Sequence, residues 1–316
     1  MKQSSNIVAK KISRVIGLIE GPLPGPTVVA FGGMHGNEPS GVAALQNVIN
    51  NLEAQSDRFK GRFLALRGNV EALQRNVRYI DEDMNRIWFP SIIDKIRLTP
   101  KSDLESSERR EIKSVLHLLD EFLTDESEHP TIFADLHSFS AEGGMFAITA
   151  RKTAHINLFS KLHVPLIFGI EKTLQGTALR YYQDLGFVTF ALEGGQHQNK
   201  ITVKNNTAAM LAMMDEVGCL DTTDMSAFDE HQQHLAEQNK QLPEQVKLAY
   251  QHMIEPGDDF EMRQGFRNFQ IIKKGEWLAT DQNGKIEAQC GGYLLMPLYQ
   301  EQGNDGFFIV QDHQDG

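Results

Sequence analysis

The chain has 316 residues, of which 41% are hydrophobic, and its formal net charge is -11 at pH 7. This composition is ordinary for a globular protein with one large domain and an appendage, or with two domains. An acidic surface repels phosphate backbones, which argues against a nucleic-acid partner, and no stretch has the apolar length of a membrane span or the pattern of a signal peptide. We therefore expect a soluble, cytoplasmic protein without membrane contact.

The two cysteines, Cys219 and Cys290, are far apart in sequence and form no CxxC pair. This spacing argues against a disulfide framework and against a cysteine-based zinc site. We expect reduced thiols that take part in packing.

From Thr27 to about Gly218, short apolar runs rich in β-branched residues alternate with amphipathic stretches. The runs typical of buried strands are Thr27–Phe31, Arg62–Leu66, Thr131–Leu136, Met145–Thr149, Pro165–Gly169 and Phe187–Leu192. The stretches with helical spacing of apolar residues are Ser40–Leu52, Ser107–Leu123, Ala154–Leu162 and Thr207–Val217. This alternation predicts an α/β sandwich around a mostly parallel sheet with some antiparallel strands.

The sequence pattern changes to short strand-like runs after a polar, helix-prone linker at about Asp221 to Glu244. The short strands predicted beyond it are Val246–Ile254, Phe269–Ile272, Gly275–Leu278 and Tyr293–Met296. The dipeptide Asn283-Gly284 is a strong hairpin signal. We therefore predict a large domain of residues 1–244, including the linker, and a small β domain of residues 245–316.

A glycine-rich segment, Phe31–Gly41 (FGGMHGNEPSG), follows a predicted buried strand and leads into a helix. It carries His35 and Glu38, which can converge on one metal ion if the backbone between them is tightly turned. The glycines permit such a turn, because glycine tolerates positive φ and close approach of other groups. Alone, the segment is equally compatible with a turn that has a surface histidine and a helix-start glutamate.

A second polar pair, Asp135 and His137, ends an otherwise apolar strand, with both side chains on one face. A buried pair used only for packing would give the same pattern. Together with His35 and Glu38, however, His137 makes a set of two imidazoles and one carboxylate, which leaves a fourth zinc position open for water. The set also suits non-haem iron, and we favour zinc. Asp135 would fix the tautomer of a ligand histidine.

Two further segments carry charges that a cleft would use. Residues 78–86, RYIDEDMNR, form either a solvated loop or a segment in which one guanidinium polarises a scissile carbonyl and another, with an Asn amide, holds a substrate carboxylate.

Glu193 ends a predicted strand before two glycines. There it is either the cap of a turn or a general base that takes a proton from metal-activated water.

In order along the chain, GGMHGNEPSG, RYIDEDMNRIW, ADLHS and ALEGG resemble the succinylglutamate desuccinylase/aspartoacylase family. The resemblance extends into FRNFQIIKKGEWLA and GGYLLMPLYQEQGNDGFF near the C-terminus. It implies a zinc carboxypeptidase-like α/β fold, in which helices flank a mixed sheet and a smaller C-terminal β domain follows. It also implies one Zn²⁺ per chain, held by the catalytic domain.

The resemblance implies roles for the residues that match its motifs. These are His35, Glu38 and His137 as zinc ligands, Glu193 as general base, Arg78 as the arginine that polarises the carbonyl, and Asn85 with Arg86 as the pair that holds the substrate's free carboxylate.

The residues that recognise the acidic side of aspartoacylase's substrate have no match by spacing. Arg180 and Tyr181 are candidates for that work, although Gly176–Asp184 is also typical of a helix with a solvated face. Tyr293 and Tyr299 are further candidates, with core packing as the alternative. The acyl group and the amino acid of the substrate therefore stay open.

The expected function is zinc-dependent hydrolysis of the amide bond of an N-acyl amino acid, with metal-activated water and Glu193 as general base. A zinc carboxypeptidase for short peptides would use the same centre but would need a more open entrance. The third hypothesis is a non-catalytic protein that binds zinc or a ligand. Binding alone requires no base opposite the metal, so Glu193 argues against it. The expected partner is a small carboxylate-bearing molecule, and a homo-oligomer is compatible with the sequence.

Overall fold

The computed structural model describes residues 12–123, 128–149, 162–220, 222 and 226–313. Its strands are β1 (Val15–Glu20), β2 (Leu23–Gly32), β3 (Lys60–Arg67), β4 (Thr131–Phe139), β5 (Phe146–Thr149), β6 (Leu166–Phe168), β7 (Val188–Gln196), β8 (Gln245–Met253), β9 (Glu261–Met262), β10 (Gln270–Ile272), β11 (Trp277–Asp281), β12 (Gly284–Glu287), β13 (Gly292–Leu295) and β14 (Asp305–Asp312).

The helices within these ranges are α1 (Pro39–Glu53), α2 (Val70–Arg75), α3 (Pro90–Leu98), α4 (Ser107–Phe122), α5 (Ile170–Thr173), α6 (Ala178–Asp184), α7 (Lys200–Glu216) and α8 (Ser226–Asn239). Short 3₁₀ turns lie at Ser56–Arg58, Met84–Arg86 and Lys101–Asp103. Among the described helices, none combines the length and the apolar character that a membrane crossing requires.

One large sheet holds most of the strands, in the order β1-β3-β2-β4-β7-β5-β6-β8-β14-β13-β10. Strands β3, β2, β4 and β7 run parallel to one another, whereas β5 is antiparallel to β7 and β1 is antiparallel to β3. A mixed sheet flanked by helices is therefore present, and the predicted fold class is confirmed.

The centre of the sheet is buried on both faces because its strands carry apolar residues at successive positions. On β2, Val28 and Ala30 face a core formed with α1 and α7, while Val29 and Phe31 face a second core formed with α3 and α4. Helices cover each face, so the ends of the central strands are where polar side chains can meet.

The six strands predicted between Thr27 and Leu192 are present, with ends that differ by a few residues. Helix α7 begins at Lys200, before the predicted Thr207, because the side chain of Asn199 accepts a hydrogen bond from Ile201 N at 3.0 Å and caps the helix. The predicted helix Ala154–Leu162 lies, up to residue 161, outside the described residues.

The C-terminal strands extend the large sheet. Strand β8 begins at Gln245 and pairs in parallel with β6, and β14, β13 and β10 follow outward. A separate three-stranded sheet has the order β12-β11-β9. Its predicted hairpin is present, with Asp281 paired to Gly284 and a two-residue loop between them. The division into domains at residue 245 stays a prediction.

Two glycines in the segment after β2 allow close backbone contacts that no other residue would permit. A Cβ on Gly41 would lie 2.4 Å from the carbonyl oxygen of Leu136, and a Cβ on Gly36 would lie 2.1 Å from the carbonyl carbon of Ala72. The start of α1 therefore lies directly against the end of β4. This contact brings the glutamate that precedes α1 next to the polar end of that strand.

Candidate active site

The candidate site lies at the carboxyl ends of β2, β4 and β7, which are neighbours in the sheet and parallel. His35 and Glu38 follow β2, His137 lies near the end of β4, and Glu193 is its partner in register on β7. The carboxyl edge of parallel strands is where open α/β sheets place their ligands. Residues that are far apart in sequence therefore meet at one edge.

Three of these side chains converge tightly enough to share one ion. One ligand atom from each of His35, Glu38 and His137 lies within 4.8 Å of the others, and all three residues are buried. Nδ1 of His35 is 2.8 Å from one carboxylate oxygen of Glu38, and Nδ1 of His137 is 3.1 Å from the other. This geometry could hold a metal ion.

The far side of each imidazole is held by a carboxylate. Nε2 of His35 lies 3.2 Å from Asp83 Oδ1, and Nε2 of His137 lies 2.8 Å from Asp135 Oδ2. An Nε2–H that donates to a carboxylate leaves Nδ1 with its lone pair, which is the form that binds a metal. The donor set and its outer partners thus fit a metal ion.

The charges around the two imidazoles favour a cation. Burial by itself would raise the pKa of Glu38, but His35 and His137 hold it well below its usual range. Burial also acts to lower the pKa of His137, and Asp135 and Glu38 overcome this and hold it well above its usual range. A site that stabilises the imidazolium so strongly is one in which a metal cation can take the place of that positive charge.

Glu193 differs from the other carboxylates of the site. It is 9% exposed, and its Oε2 has no hydrogen-bond partner among the residues that the structure describes. Burial raises its pKa to about 8, with His137 opposing this and Glu38 adding to it. A buried carboxyl group whose pKa lies near neutrality, with one oxygen free to face the cavity, suits proton transfer at working pH.

The loop of residues 78–86 reaches the site as a folded segment. Arg78 donates to Asp83 Oδ2 from Nε at 3.2 Å and from a terminal nitrogen at 3.1 Å, and it lies 3.4 Å from Glu38. Arg86 donates to Asp305 at 2.8 Å. The buried amide of Asn85 has partners at both ends, accepting from Ala178 N at 2.9 Å and donating toward Asp135 at 3.4 Å.

A buried carboxylate, Glu108 on α4, holds this loop in place. It accepts the backbone N–H groups of Ile80, Asp81 and Glu82 at 2.7, 3.1 and 3.3 Å, and the side-chain amide of Asn69 at 3.0 Å. Its position in the first turn of α4 also favours a negative charge. Glu108 does not reach the cavity, so it acts by positioning the loop.

We expect Glu108→Gln to lower the free energy of unfolding by about 2 kcal/mol, because the new amide group would face backbone N–H donors. We also expect kcat/KM of the zinc-loaded protein to fall about tenfold or more, as is usual when the support of a metal site is lost. Denaturant unfolding and steady-state kinetics measure the two effects.

Glu105→Gln is the matched control, since Glu105 is exposed and pairs only with surface cations among the described residues. We expect it to change stability by no more than about 0.5 kcal/mol. Normal kcat/KM in Glu108→Gln would contradict the positioning role.

A cavity of about 140 Å³ opens beside His35, Glu38 and His137, which we call the metal-ligand set. This is room for about ten water molecules, at the 10–15 Å³ that one water needs by such a measure. The C-terminal segment forms part of its wall through Met296, Leu298, Gln300 and Asp305. Strands and loops that follow the first 244 residues therefore form one side of the cavity.

A chain of hydrogen bonds ties the C-terminal segment to the site. The hydroxyl of Ser138 lies 2.8 Å from Nδ1 of His197, and Nε2 of His197 lies 3.0 Å from Oε1 of Gln300. The amide of Asn37 donates to the same oxygen at 3.1 Å. Because an amide oxygen can only accept, His197 carries its proton on Nε2.

The additional recognition candidates are not grouped at the cavity. Arg180 lines its rim, but Nε of Arg180 lies 2.9 Å from Asp184 one turn further along α6. The ring of Tyr181 packs against Trp88, the ring of Tyr293 against Phe269, and the hydroxyl of Tyr299 donates to the carbonyl of Arg263 at 2.9 Å.

Three residues that the sequence did not single out shape the site: Asp83, Glu108 and Asp305. Asp83 belongs to the charge run that drew attention, yet local spacing gave no sign that it reaches His35. Asp305 lies 219 residues from its partner Arg86. Both contacts depend on how distant segments fold together.

The fold and this site define a class of α/β proteins with a buried group of side chains that could hold a metal ion, and comparison with known proteins gives the family. The protein-family model of the succinylglutamate desuccinylase/aspartoacylase catalytic domain matches residues 24–217, which is more than half of the chain. The chain belongs to this family, as its motifs predicted.

Individual relatives are similar at different lengths. A succinylglutamate desuccinylase of Pseudomonas aeruginosa is 36% identical over 64 residues, which is 20% of this chain and 19% of that protein. A probable aspartoacylase of Prochlorococcus marinus is 25% identical over 285 residues, covering 86% of this chain and 87% of the relative. The match thus spans about a fifth of the first relative's length and most of the second's.

Solved structures share the fold. A succinylglutamate desuccinylase from Vibrio cholerae has a TM-score of 0.65 and 19% identity, over 92% of this chain and 82% of that one. A succinylglutamate desuccinylase/aspartoacylase from Rhodobacter sphaeroides has a TM-score of 0.64 and 15% identity, over 94% and 88%. At this identity the likeness concerns the fold alone.

Proposed function

We propose that this protein hydrolyses the amide bond of an N-acyl amino acid, with one Zn²⁺ held by His35, Glu38 and His137. The observation that carries the proposal is the buried, convergent set of two imidazoles and one carboxylate with Glu193 beside it. Family membership supports the same reaction class. A structural metal site would need neither an open fourth position nor a carboxyl group of raised pKa next to it.

When bound, Zn²⁺ supplies a Lewis acid that lowers the pKa of a water molecule toward about 7. In the proposed mechanism Glu193 would accept a proton from the attacking water through its unpartnered oxygen and would return it to the leaving nitrogen. Burial raises the pKa of Glu193, and a raised pKa makes the carboxylate a stronger proton acceptor.

Two arginines have proposed roles on either side of the scissile bond. Arg78 would donate to the carbonyl oxygen as negative charge develops there, a contact of the kind worth about 3–4 kcal/mol. Arg86, with Asn85 beside it, would hold the substrate's free carboxylate. Its guanidinium has five N–H donors, enough to keep its contact with Asp305 and bind a carboxylate as well.

The walls of the cavity favour a small substrate over a peptide. The C-terminal segment contributes Met296, Leu298 and Gln300 to the lining. A carboxypeptidase needs a cleft through which the rest of the peptide can leave, whereas an acyl amino acid can be enclosed. The wall that the C-terminal segment adds and the modest cavity volume therefore support the deacylase over the carboxypeptidase.

The test is release of amine from N-acyl amino acids and from dipeptides, measured with metal-free and zinc-loaded protein. Hydrolysis of an acyl amino acid by the zinc-loaded form alone is the expected result. Cleavage of dipeptides without any acyl amino acid would replace the proposal with the carboxypeptidase. No hydrolysis of either class by zinc-loaded protein would favour a non-catalytic binding protein.

A further inference from the structure

The cations on the wall of the cavity already have carboxylate partners. Within the described part of the chain, the arginines that line the cavity are Arg78, Arg86 and Arg180. The first lies against Asp83, the second against Asp305 and the third against Asp184, at 3.1, 2.8 and 2.9 Å. A guanidinium paired with one carboxylate keeps N–H donors for a second, but it attracts a further anion less than a free guanidinium does, because the partner's charge opposes that of the anion.

One further carboxylate, Glu171 on α5, lies in the same wall, together with Glu193 and with Asp305, the partner of Arg86. A second carboxylate on the substrate would approach these acidic side chains after losing its water. A buried anion without a new cationic partner is strongly disfavoured.

The cavity has a mainly apolar floor where it leads away from the metal-ligand set along β5 and β7. On β7 the next side chain on the same face as Glu193 is Ala191, and Ile148 lies opposite Ala191 on β5. Leu174 and Leu179 close this region from the side of α5 and α6. A substrate group that extends in this direction meets these apolar side chains, with the threonines Thr149 and Thr189 beside them.

We propose that the substrate carries a single carboxylate and that its acyl group and its side chain are both uncharged. The inference rests on the function proposed above and names its substrate class: N-acyl derivatives of neutral, apolar amino acids. Arg86 takes the one carboxylate through the N–H donors that its contact with Asp305 leaves, and the apolar floor takes the side chain. Among the described residues, the two other arginines of the wall, Arg78 and Arg180, are paired as well, and a second carboxylate would also lie near Glu171.

Three ligands of nearly equal size separate charge from shape. N-acetyl-leucine, N-acetyl-asparagine and N-acetyl-aspartate have side chains with the same number of non-hydrogen atoms, and only aspartate adds a charge. Zinc-loaded Glu193→Gln, which is expected to bind without turnover, allows their Kd values to be measured by calorimetry. We expect the Kd for the leucine derivative to be about 100-fold lower than that for the aspartate derivative, with asparagine between them.

A pair of variants on α6 tests the wall itself. Leu179→Arg places an unpaired guanidinium at the cavity. It is expected to reduce the ratio of the Kd for the aspartate derivative to the Kd for the leucine derivative by about tenfold or more. Leu185→Arg is the control, because Leu185 caps the end of the same helix, is exposed and does not line the cavity. It should leave the preference unchanged.

The outcomes separate this inference from the proposed function. Aspartate binding as tightly as leucine, or no binding of any of the three ligands, would overturn the substrate class, whatever wild-type protein hydrolyses. Tight, selective binding of the leucine derivative supports it. If the wild-type protein then failed to hydrolyse that ligand, the proposed hydrolysis would be wrong while the binding preference would stand.

Discussion

Replacing Glu193 with Gln is expected to lower kcat by about 10²–10⁴-fold while zinc content stays unchanged. The substitution keeps the shape of the side chain but removes the group that accepts and returns a proton. Glu193 is not one of the three converging ligand residues, so the ion should remain bound. Steady-state kinetics on an N-acyl amino acid and metal analysis of the same samples measure the two quantities.

Glu142→Gln is the control for this measurement, because Glu142 is exposed, pairs with Arg267 and lies outside the cavity. It should retain normal kcat. A Glu193→Gln protein that loses its zinc would point to a ligand role for this residue. One that keeps a near-normal kcat would show that another group takes the proton.

Replacing His35 with Ala is expected to reduce zinc from about one ion per chain to almost none, and to lower kcat/KM by about 10³-fold or more. Three protein ligands are the usual number in a catalytic zinc site, and two seldom retain the ion through dialysis. The loss would also leave Glu38 and Asp83 facing each other without the imidazole that now lies between them. Metal analysis after dialysis and near-ultraviolet circular dichroism test retention and folding.

His197→Ala is the matched control for the ligand test. His197 lies close to the site, but its ring contacts Ser138 and Gln300 rather than the ligand carboxylate. We expect this variant to keep its zinc. If His35→Ala kept a full complement of the metal and His197→Ala lost it, the assignment of the ligands would be wrong.

The elements that the sequence predicted well are those governed by local pattern. Continuous apolar runs marked the central strands, because a strand buried on both faces needs apolar residues at every position.

The strand β1 and the helix α3 were missed. Val15–Glu20 is an edge strand with a half-exposed pattern, and Pro90–Leu98 has only two fully buried apolar residues, Ile93 and Ile96. Their signals are weak because little of each is buried.

The C-terminal region shows where local pattern stops being informative. Four of its strands, β8, β10, β11 and β13, were predicted, whereas β9, β12 and β14 were not. Nothing in the sequence of β8 indicates that it pairs with β6 and so continues the large sheet. Strand pairing depends on edges that become available only when the rest of the sheet has formed. For the same reason the sequence did not reveal that Met296 and Leu298 line the cavity.

The sequence by itself determined the family, the fold class and the residues that meet at the carboxyl edge of the sheet. It could do so because the carboxyl ends of parallel strands lie at one edge, so that His35, Glu38, His137 and Glu193 come together once their strands are recognised. Only the tertiary structure decided how the site is supported. The carboxylates that support His35, Arg86 and the loop of residues 78–86 from other segments lie 26 to 219 residues away. Such contacts arise from packing between segments, and residue spacing along the chain does not encode them.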